Sequence, residues 1–393
     1  MIRRFPILKL LIVSILLIFL AGCVPGGTNG TVGLITWQRT YGGNYEDRAN
    51  SIQQVADGGY IIAGYTLSLG TNGDAYIIKL KGDGSLDWER NFGGVYEDRA
   101  NSIQQTADGG YIIAGYTSSG TGNHNIYIIK LKGDGSLDWE KNFGGAYEDR
   151  ANSIQQTADE GYIIAGYTLS LGTNGDAYII KLKGDGSLDW EKNFGGAYED
   201  RANSIQQTAD EGYIIAGYTL SLGTNGDAYI IKLKGDGSLD WEKNFGGVYE
   251  DRANCIQQVA DGGYIVAGYT SSGTGNHNVY IIKLKGDGSL EWERSFGGEN
   301  WTEANCIQET ADGGYIVAGY IRSGTGDRNV YILKLDKDGN LNWERSFGGE
   351  DWEEASSIQQ TADGGYITAG YTRSFGNGSY DVYVLKLNAD GRL

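Results

Sequence analysis

Proline is almost missing from this 393-residue chain, and both copies, Pro6 and Pro25, lie ahead of everything that repeats. Turns must therefore be made by glycine, of which there are 64, and glycine without proline suits many short strands joined tightly. Histidine occurs only at His124 and His277, and cysteine only at Cys23, Cys255 and Cys306, so no zinc-ligand spacing is present. Basic charge is also short, 32 Lys and Arg against 50 Asp and Glu, for a formal charge of -18. Losing Arg3, Arg4 and Lys9 with a leader would deepen the imbalance. Such a surface repels phosphate backbones and argues against a nucleic-acid partner. No phosphate-binding loop occurs, and no nucleophile stands beside a base in a setting of its own. Carboxylate pairs such as Glu148 and Asp149 recur in copy after copy. An active site normally needs one asymmetric constellation, so the expectation is a protein without catalysis.

What the chain has is repetition. Residues 142–192 recur letter for letter as residues 193–243, and looser copies fill most of the rest. Trp37, Trp88, Trp139, Trp190, Trp241, Trp292 and Trp343 fall at a constant spacing of 51. Length alone suggests two or three domains, but strict periodicity points to one closed repeat domain over residues 34–393.

Within the unit of residues 142–192, Ser153 to Thr157 reads as a short strand and Tyr162 to Thr168 as a second, joined by Ala158-Asp159-Glu160-Gly161. Most copies have Ala-Asp-Gly-Gly there, which supplies the positive φ that a hairpin demands. After the loop LSLGTNGD come strands at residues 177–182 and 188–194, joined by Lys-Gly-Asp-Gly-Ser. Four antiparallel strands per period is a propeller pattern, whereas a β-solenoid would show shorter periods and no recurrent hairpins. Both alternating faces of YIIAGYT are apolar or aromatic, so both need cover. Simple alternation sets Lys181 opposite Asp189 as a structural pair, and sets Trp190 between blades. The chain opens with an orphan fourth strand, residues 34–41, and stops at residues 388–393 where a fourth strand is due. The expected fold is all-β, a seven-bladed β-propeller of four-stranded antiparallel blades whose N-terminal strand completes the last blade and closes the ring.

Arg3 and Arg4 precede an apolar run over residues 7–20 that ends in Leu20-Ala21-Gly22-Cys23. This resembles a bacterial or archaeal lipoprotein signal, cut before the cysteine. The resemblance implies a signal peptide over residues 1–22 and Cys23 as the lipidated first residue, followed by a flexible spacer to residue 33. An uncleaved anchor or a secretory signal cut elsewhere are the other readings, although the run is short for a span. Acyl chains contribute about 0.8 kcal/mol per buried methylene. The domain is expected outside the membrane, in the cell envelope.

The pattern W-x-x-x-F-G-G, D-G-G-Y-I-x-A-G-Y and Y-I-I-K-L resembles a broad class of prokaryotic secreted propeller repeats found on surface lipoproteins. Residues 178–190 are also similar to the tryptophan motif of quinoprotein-type propellers, with a longer turn and seven blades where those usually have eight. Kelch repeats place their glycine doublet at the end of an inner strand; here Gly144-Gly145 follows an outer one.

In a blade of this topology the loop between second and third strands shares one face with the connection to the next blade, and long loops there favour ligands. Copies one to five carry Tyr-Glu-Asp-Arg, from Tyr45 to Arg48 through Tyr249 to Arg252. Copies six and seven depart together, with Trp301 and Glu303, then Trp352 and Glu354, while neighbouring loops gain Arg322, Arg328 and Arg373. One reading is an ion pair swapped between adjacent loops. The other is a binding patch of Trp301, Trp352, Glu303, Glu354, Arg322, Arg373, Tyr249 and Arg252, with tryptophan as the stacking face. The two histidines read as solvated loop residues, not a metal pair. Cys255 and Cys306 replace serine in neighbouring units and read as free thiols in preference to a disulfide. Residues 336–340 imitate the start of a calcium loop without its terminal glutamate and read as a turn, so no cofactor is expected, with calcium as the weaker alternative. The function these features suggest is a monomeric surface lipoprotein binding a glycan or protein partner, with an envelope scaffold or a quinoprotein-like or polysaccharide-cleaving enzyme as rivals.

Overall fold

The computed structural model describes residues 35–393 except 70–71, 119–122, 171–173, 222–224, 272–274 and 323–325. The leader, Cys23 and the spacer lie outside the described residues. Seven four-stranded antiparallel sheets follow one another, six of them ordered from inner to outer strand along the chain and the seventh taking its outer strand from the N-terminus. Each inner strand lies beside the inner strands of both neighbours, the first beside the seventh, so the array is a closed ring. Blade 3 is representative, with strands Asp149–Gln156, Tyr162–Thr168, Asp176–Leu182 and Leu188–Phe194.

The two middle strands are buried along their whole length because both faces are covered. Ile164 and Ile180 pack with Ile112 and Ile128 of blade 2, whereas Ile163 and Ile179 pack with Ile205 and Ile215 of blade 4. Each such isoleucine contributes about 1.5–3 kcal/mol by leaving water. Trp190 meets Tyr213 of the next blade edge to face at 5.9 Å, the interblade place expected of it. Trp37, Trp88, Trp139, Trp241, Trp292 and Trp343 repeat the contact around the ring.

The paired glutamines of Ser-Ile-Gln-Gln join blade to blade. Gln53 Oε1 accepts the Gln105 N–H at 2.6 Å, and Gln105 Oε1 accepts the Ala56 N–H at 2.9 Å, so each inner strand holds the next in both directions. The seventh junction is made the same way, Gln54 N–H on Gln359 and Ala362 N–H on Gln54. The N-terminal strand Trp37–Tyr41 pairs with Asp381–Leu387 as the outer strand of blade 7, Trp37 opposite Lys386 and Tyr41 opposite Val382.

One register differs from simple alternation. Lys181 faces Trp190 and Leu182 faces Leu188, so Asp189 is the extra residue of a bulge and has no partner across the strand. The buried Lys181 ammonium instead reaches Asp159 in the first hairpin turn at 2.9 Å. Lys79, Lys130, Lys232, Lys283, Lys334 and Lys386 do the same with Asp57, Asp108, Asp210, Asp261, Asp312 and Asp363. The lysine is structural, as expected, through a different carboxylate, and in blade 5 Lys283 also reaches Glu291, the counterpart of Asp189, at 3.2 Å.

Candidate binding face

Outer-to-inner connections and second-to-third loops share one face of the ring, here the upper face. The aspartate of Tyr-Glu-Asp-Arg is buried beneath it: Asp47 Oδ2 accepts the Gly43 N–H at 2.8 Å and the Ser68 hydroxyl at 2.7 Å. Asp149 and Asp200 repeat both bonds with Gly145 and Ser170, and with Gly196 and Ser221. Pinned in this way, the loop turns the preceding tyrosine outward. Tyr45, Tyr96, Tyr147, Tyr198 and Tyr249 are 64, 45, 58, 60 and 44% exposed, one on each of five consecutive blades. The Tyr45, Tyr147 and Tyr198 N–H groups are held by serine hydroxyls at 3.0 Å, which fixes the backbone under each ring.

The arginines are tied into the frame. Arg252 forms an ion pair with Glu250 at 2.6 Å and stacks 4.0 Å over Tyr218 of blade 4. Arg99, Arg150 and Arg201 lie in the same way over Tyr65, Tyr116 and Tyr167, so each stack bridges two blades.

Blades 6 and 7 rebuild this arrangement with other residues. His277, at the start of the third strand of blade 5, stacks on Tyr269 at 4.2 Å and 6° and tilts against Trp301 at 4.1 Å. Its Nδ1 lies 2.7 Å from Glu303, which also accepts the Trp301 indole N–H at 2.7 Å. Burial works to raise the Glu303 carboxyl, but the bonds from His277, Tyr320 and Trp301 outweigh it and hold Glu303 below the usual range. One period later Arg328 occupies the place of His277. It lies 4.4 Å from the Tyr320 ring, 4.9 Å from Trp352 and 3.3 Å from Glu354. Here burial prevails, and the Glu354 carboxyl is raised despite bonds from Tyr371 and Asn305.

The structure therefore brings Trp301 together with Glu303, and Trp352 with Glu354, in two half-buried clusters one blade apart. Arg322 and Arg373 stand at the edges of these clusters. Arg322 is exposed, opposite Trp301 on one side and Arg328 on the other, and Arg373 donates its backbone N–H to the Trp352 carbonyl at 2.8 Å and pairs with Asp351 at 3.4 Å. The Arg328–Glu354 pair is the charge exchange between adjacent loops that the substitutions suggested.

The histidines are a correction. They are packed, not solvated, because each begins a strand whose neighbour presents a tyrosine ring: His277 as above, and His124 edge-on to Tyr116 at 4.7 Å and 3.3 Å from Arg150. Burial and the Arg150 charge hold His124 below the ordinary histidine value. The spacing of 51 between His277 and Arg328 was the available signal for their shared role. At residues 336–340 the Asp336 carboxylate is engaged by the turn itself, accepting from Asp338 N, Asn340 N and Asn340 Nδ2 at 2.8–2.9 Å. Tyr45, Tyr96, Tyr147 and Tyr198 were not singled out from sequence beyond Tyr249. Their signal was an aromatic residue lying outside any alternating apolar run.

A family model described as "Domain of unknown function (DUF5122) beta-propeller" matches residues 56–87, 106–138, 161–189, 212–240 and 361–393. No curated protein matches the chain in sequence. Among solved structures, a puromycin hydrolase S511A mutant complexed with PGG is similar with a TM-score of 0.55 at 13% identity, over 88% of this chain and 53% of that one. The Pan2 WD40 domain of Neurospora crassa has a TM-score of 0.51 at 10% identity, over 86% and 89%. YCF48 bound to D1 peptide has a TM-score of 0.51 at 9% identity, over 90% and 95%. At such identities the likeness concerns fold alone, and the chain is a seven-bladed β-propeller repeat protein with five segments similar to that propeller family.

Proposed function

We propose that this propeller is a non-catalytic, monomeric binding protein, held at the outer surface of a membrane through lipidated Cys23, that takes a neutral glycan across its upper face. The observation that carries the reading is the arc of Tyr45, Tyr96, Tyr147, Tyr198 and Tyr249, exposed at equivalent positions of five blades. Tyrosine offers a large, rigid, amphipathic surface at small entropic cost, the chemistry that stacks on sugar rings. A formal charge of -18 disfavours polyanions and leaves neutral polysaccharides as the natural occupants. Repetition suits a repeating ligand, since engaging several equivalent weak sites together raises avidity by about 10²–10⁴ over one. Where the tyrosine gives way to Asn300 and Asp351, half-buried Trp301 and Trp352 continue the aromatic surface with Glu303 and Glu354 preset beside them. Arg252, Arg322 and Arg373 supply its rim charges.

The test is affinity electrophoresis through gels containing neutral polysaccharides. The native chain is expected to be retarded by at least one, and a chain with the five tyrosines replaced by alanine to run freely while keeping its unfolding temperature. Equal migration of the two chains in every gel refutes the reading.

A further inference from the structure

Cys255 and Cys306 stand at matching positions of neighbouring inner strands, where the other five copies have serine. Four of those serines, Ser51, Ser102, Ser153 and Ser204, accept the N–H of an isoleucine in the next inner strand at 3.2–3.4 Å, and the fifth, Ser357, donates to the Ile52 carbonyl at 3.5 Å. Sulfur accepts poorly, and the two thiols are directed at carbonyls of the next inner strand, as Ser357 is, and at each other. Cys255 Sγ lies 3.6 Å from the Ile307 carbonyl and Cys306 Sγ lies 3.6 Å from the Ile358 carbonyl, while the two sulfurs face each other at 3.9 Å. Both residues are half-buried, and Cys306 borders a cavity of about 230 Å³ on the ring axis that the inner-strand isoleucines and glutamines also line.

We propose that this pair is a modification site for a low-molecular-weight disulfide entering the channel, with Cys306 as the attacking sulfur and Cys255 as the resolving one, leaving a cross-link between blades 5 and 6. In the first step the Cys306 thiolate attacks one sulfur of the small disulfide, forms a mixed disulfide and expels one thiolate. In the second, Cys255 gives up its proton and attacks the Cys306 sulfur, and the second small thiolate leaves. Two electrons pass from the protein dithiol to the reagent, which departs as two thiols. The roles follow from the bond between them. Cys255 donates its S–H to Cys306, which holds the Cys306 thiol below its ordinary value, and the same bond together with burial pushes Cys255 well above its own. A disulfide needs the sulfurs to close to about 2.05 Å. Side-chain rotation supplies that movement, and the bonds from the Glu309 N–H to Gln257 and from the Ala260 N–H to the Glu309 carboxylate keep the two inner strands side by side.

The experiment uses the full chain carrying Cys23→Ser, reduced and then incubated at neutral pH with 2-hydroxyethyl disulfide. Mass spectrometry should show the loss of two hydrogens and one cross-linked peptide joining residues 255 and 306. Cys255→Ser should stop at a single mixed adduct on Cys306, and Cys306→Ser should stay unmodified over the same interval. Both changes install the residue found in the other five copies, so the fold is kept. The proposal is overturned if the native pair stays open to alkylation, if adducts form without the cross-link, or if Cys306→Ser reacts as fast as Cys255→Ser.

Discussion

Glu160 and Glu211 hold φ at 67°, the left-handed region, at a turn position where the other copies place Gly58, Gly109, Gly262, Gly313 and Gly364. A side chain there meets nothing within 4 Å at the glycine-bearing turns, so the cost is one of backbone alone. That cost is about 1–2 kcal/mol for an L-residue, and glycine gives back about 0.4–1 kcal/mol through its freer unfolded chain. Glu160→Gly is therefore expected to stabilise the propeller by about 0.5–1 kcal/mol, read as a higher urea midpoint with an unchanged slope. Glu160→Gln keeps the backbone strain and removes only the charge, so it should leave the midpoint near that of the native chain. A Glu160→Gly midpoint at or below the native one rejects the account. The need for positive φ at this turn was plain from Ala-Asp-Gly-Gly in the other copies. The packing of His277 was not, because what surrounds it comes from Tyr269 of its own blade and Trp301 of the next.

At the scale of the strand, the four segments of each unit were legible because hydrophobic alternation and glycine turns recur seven times. The lysine partner was not, since a period of two assumes an unbroken ladder and the outer strand carries a bulge at Asp189. The observed pair gives the blade an acid-sensitive clasp. Partial burial works to raise the Asp108 carboxyl, but bonds from Lys130, Thr106 and the Gly110 N–H together hold it down at about 2. Asp57, Asp159, Asp210, Asp261, Asp312 and Asp363 are lowered as well. A carboxylate whose folded value lies below its unfolded 3.8 contributes stability that is complete above about pH 4 and is lost as pH falls toward about 2. The midpoint difference between the native chain and Asp108→Asn should be constant from pH 7 to 5 and shrink between pH 4 and 2. Asp108→Asn leaves the Lys130 ammonium buried without its counter-charge. It should cost about 1–2 kcal/mol at pH 7, less than in a fully buried pair because the carboxylate side is solvated, and should flatten the acid limb. An acid limb identical in the two chains means the clasp does not act.

For the molecule as a whole, the decisive inference from sequence was closure: seven tryptophans at one spacing with an unpaired strand at the start and a missing one at the end. The candidate binding face was less legible, because which aromatic ring is exposed depends on a buried aspartate pinning the loop behind it, and alternation says nothing about loops. Closure puts the stability of all seven blades on five residues. Trp37–Tyr41 completes the ladder of Asp381–Leu387, seats Trp37 against Tyr60 of blade 1, and sends the Tyr41 hydroxyl to the Gly84 carbonyl. Removing it leaves the buried, apolar strand Asp381–Leu387 as an open edge and strips the Trp37 cover from blade 1, where Tyr60 and Ile62 are otherwise out of water. An edge of that kind invites pairing with a second chain. A chain starting at residue 42 is therefore expected to lose its single cooperative melt and to self-associate in size-exclusion chromatography. A synthetic peptide covering residues 35–43 should restore a monomeric, cooperative species. If the shortened chain melted as its parent does, the ring would not depend on its N-terminal strand. If it failed and the peptide did not rescue it, the loss would belong to something other than the missing outer strand.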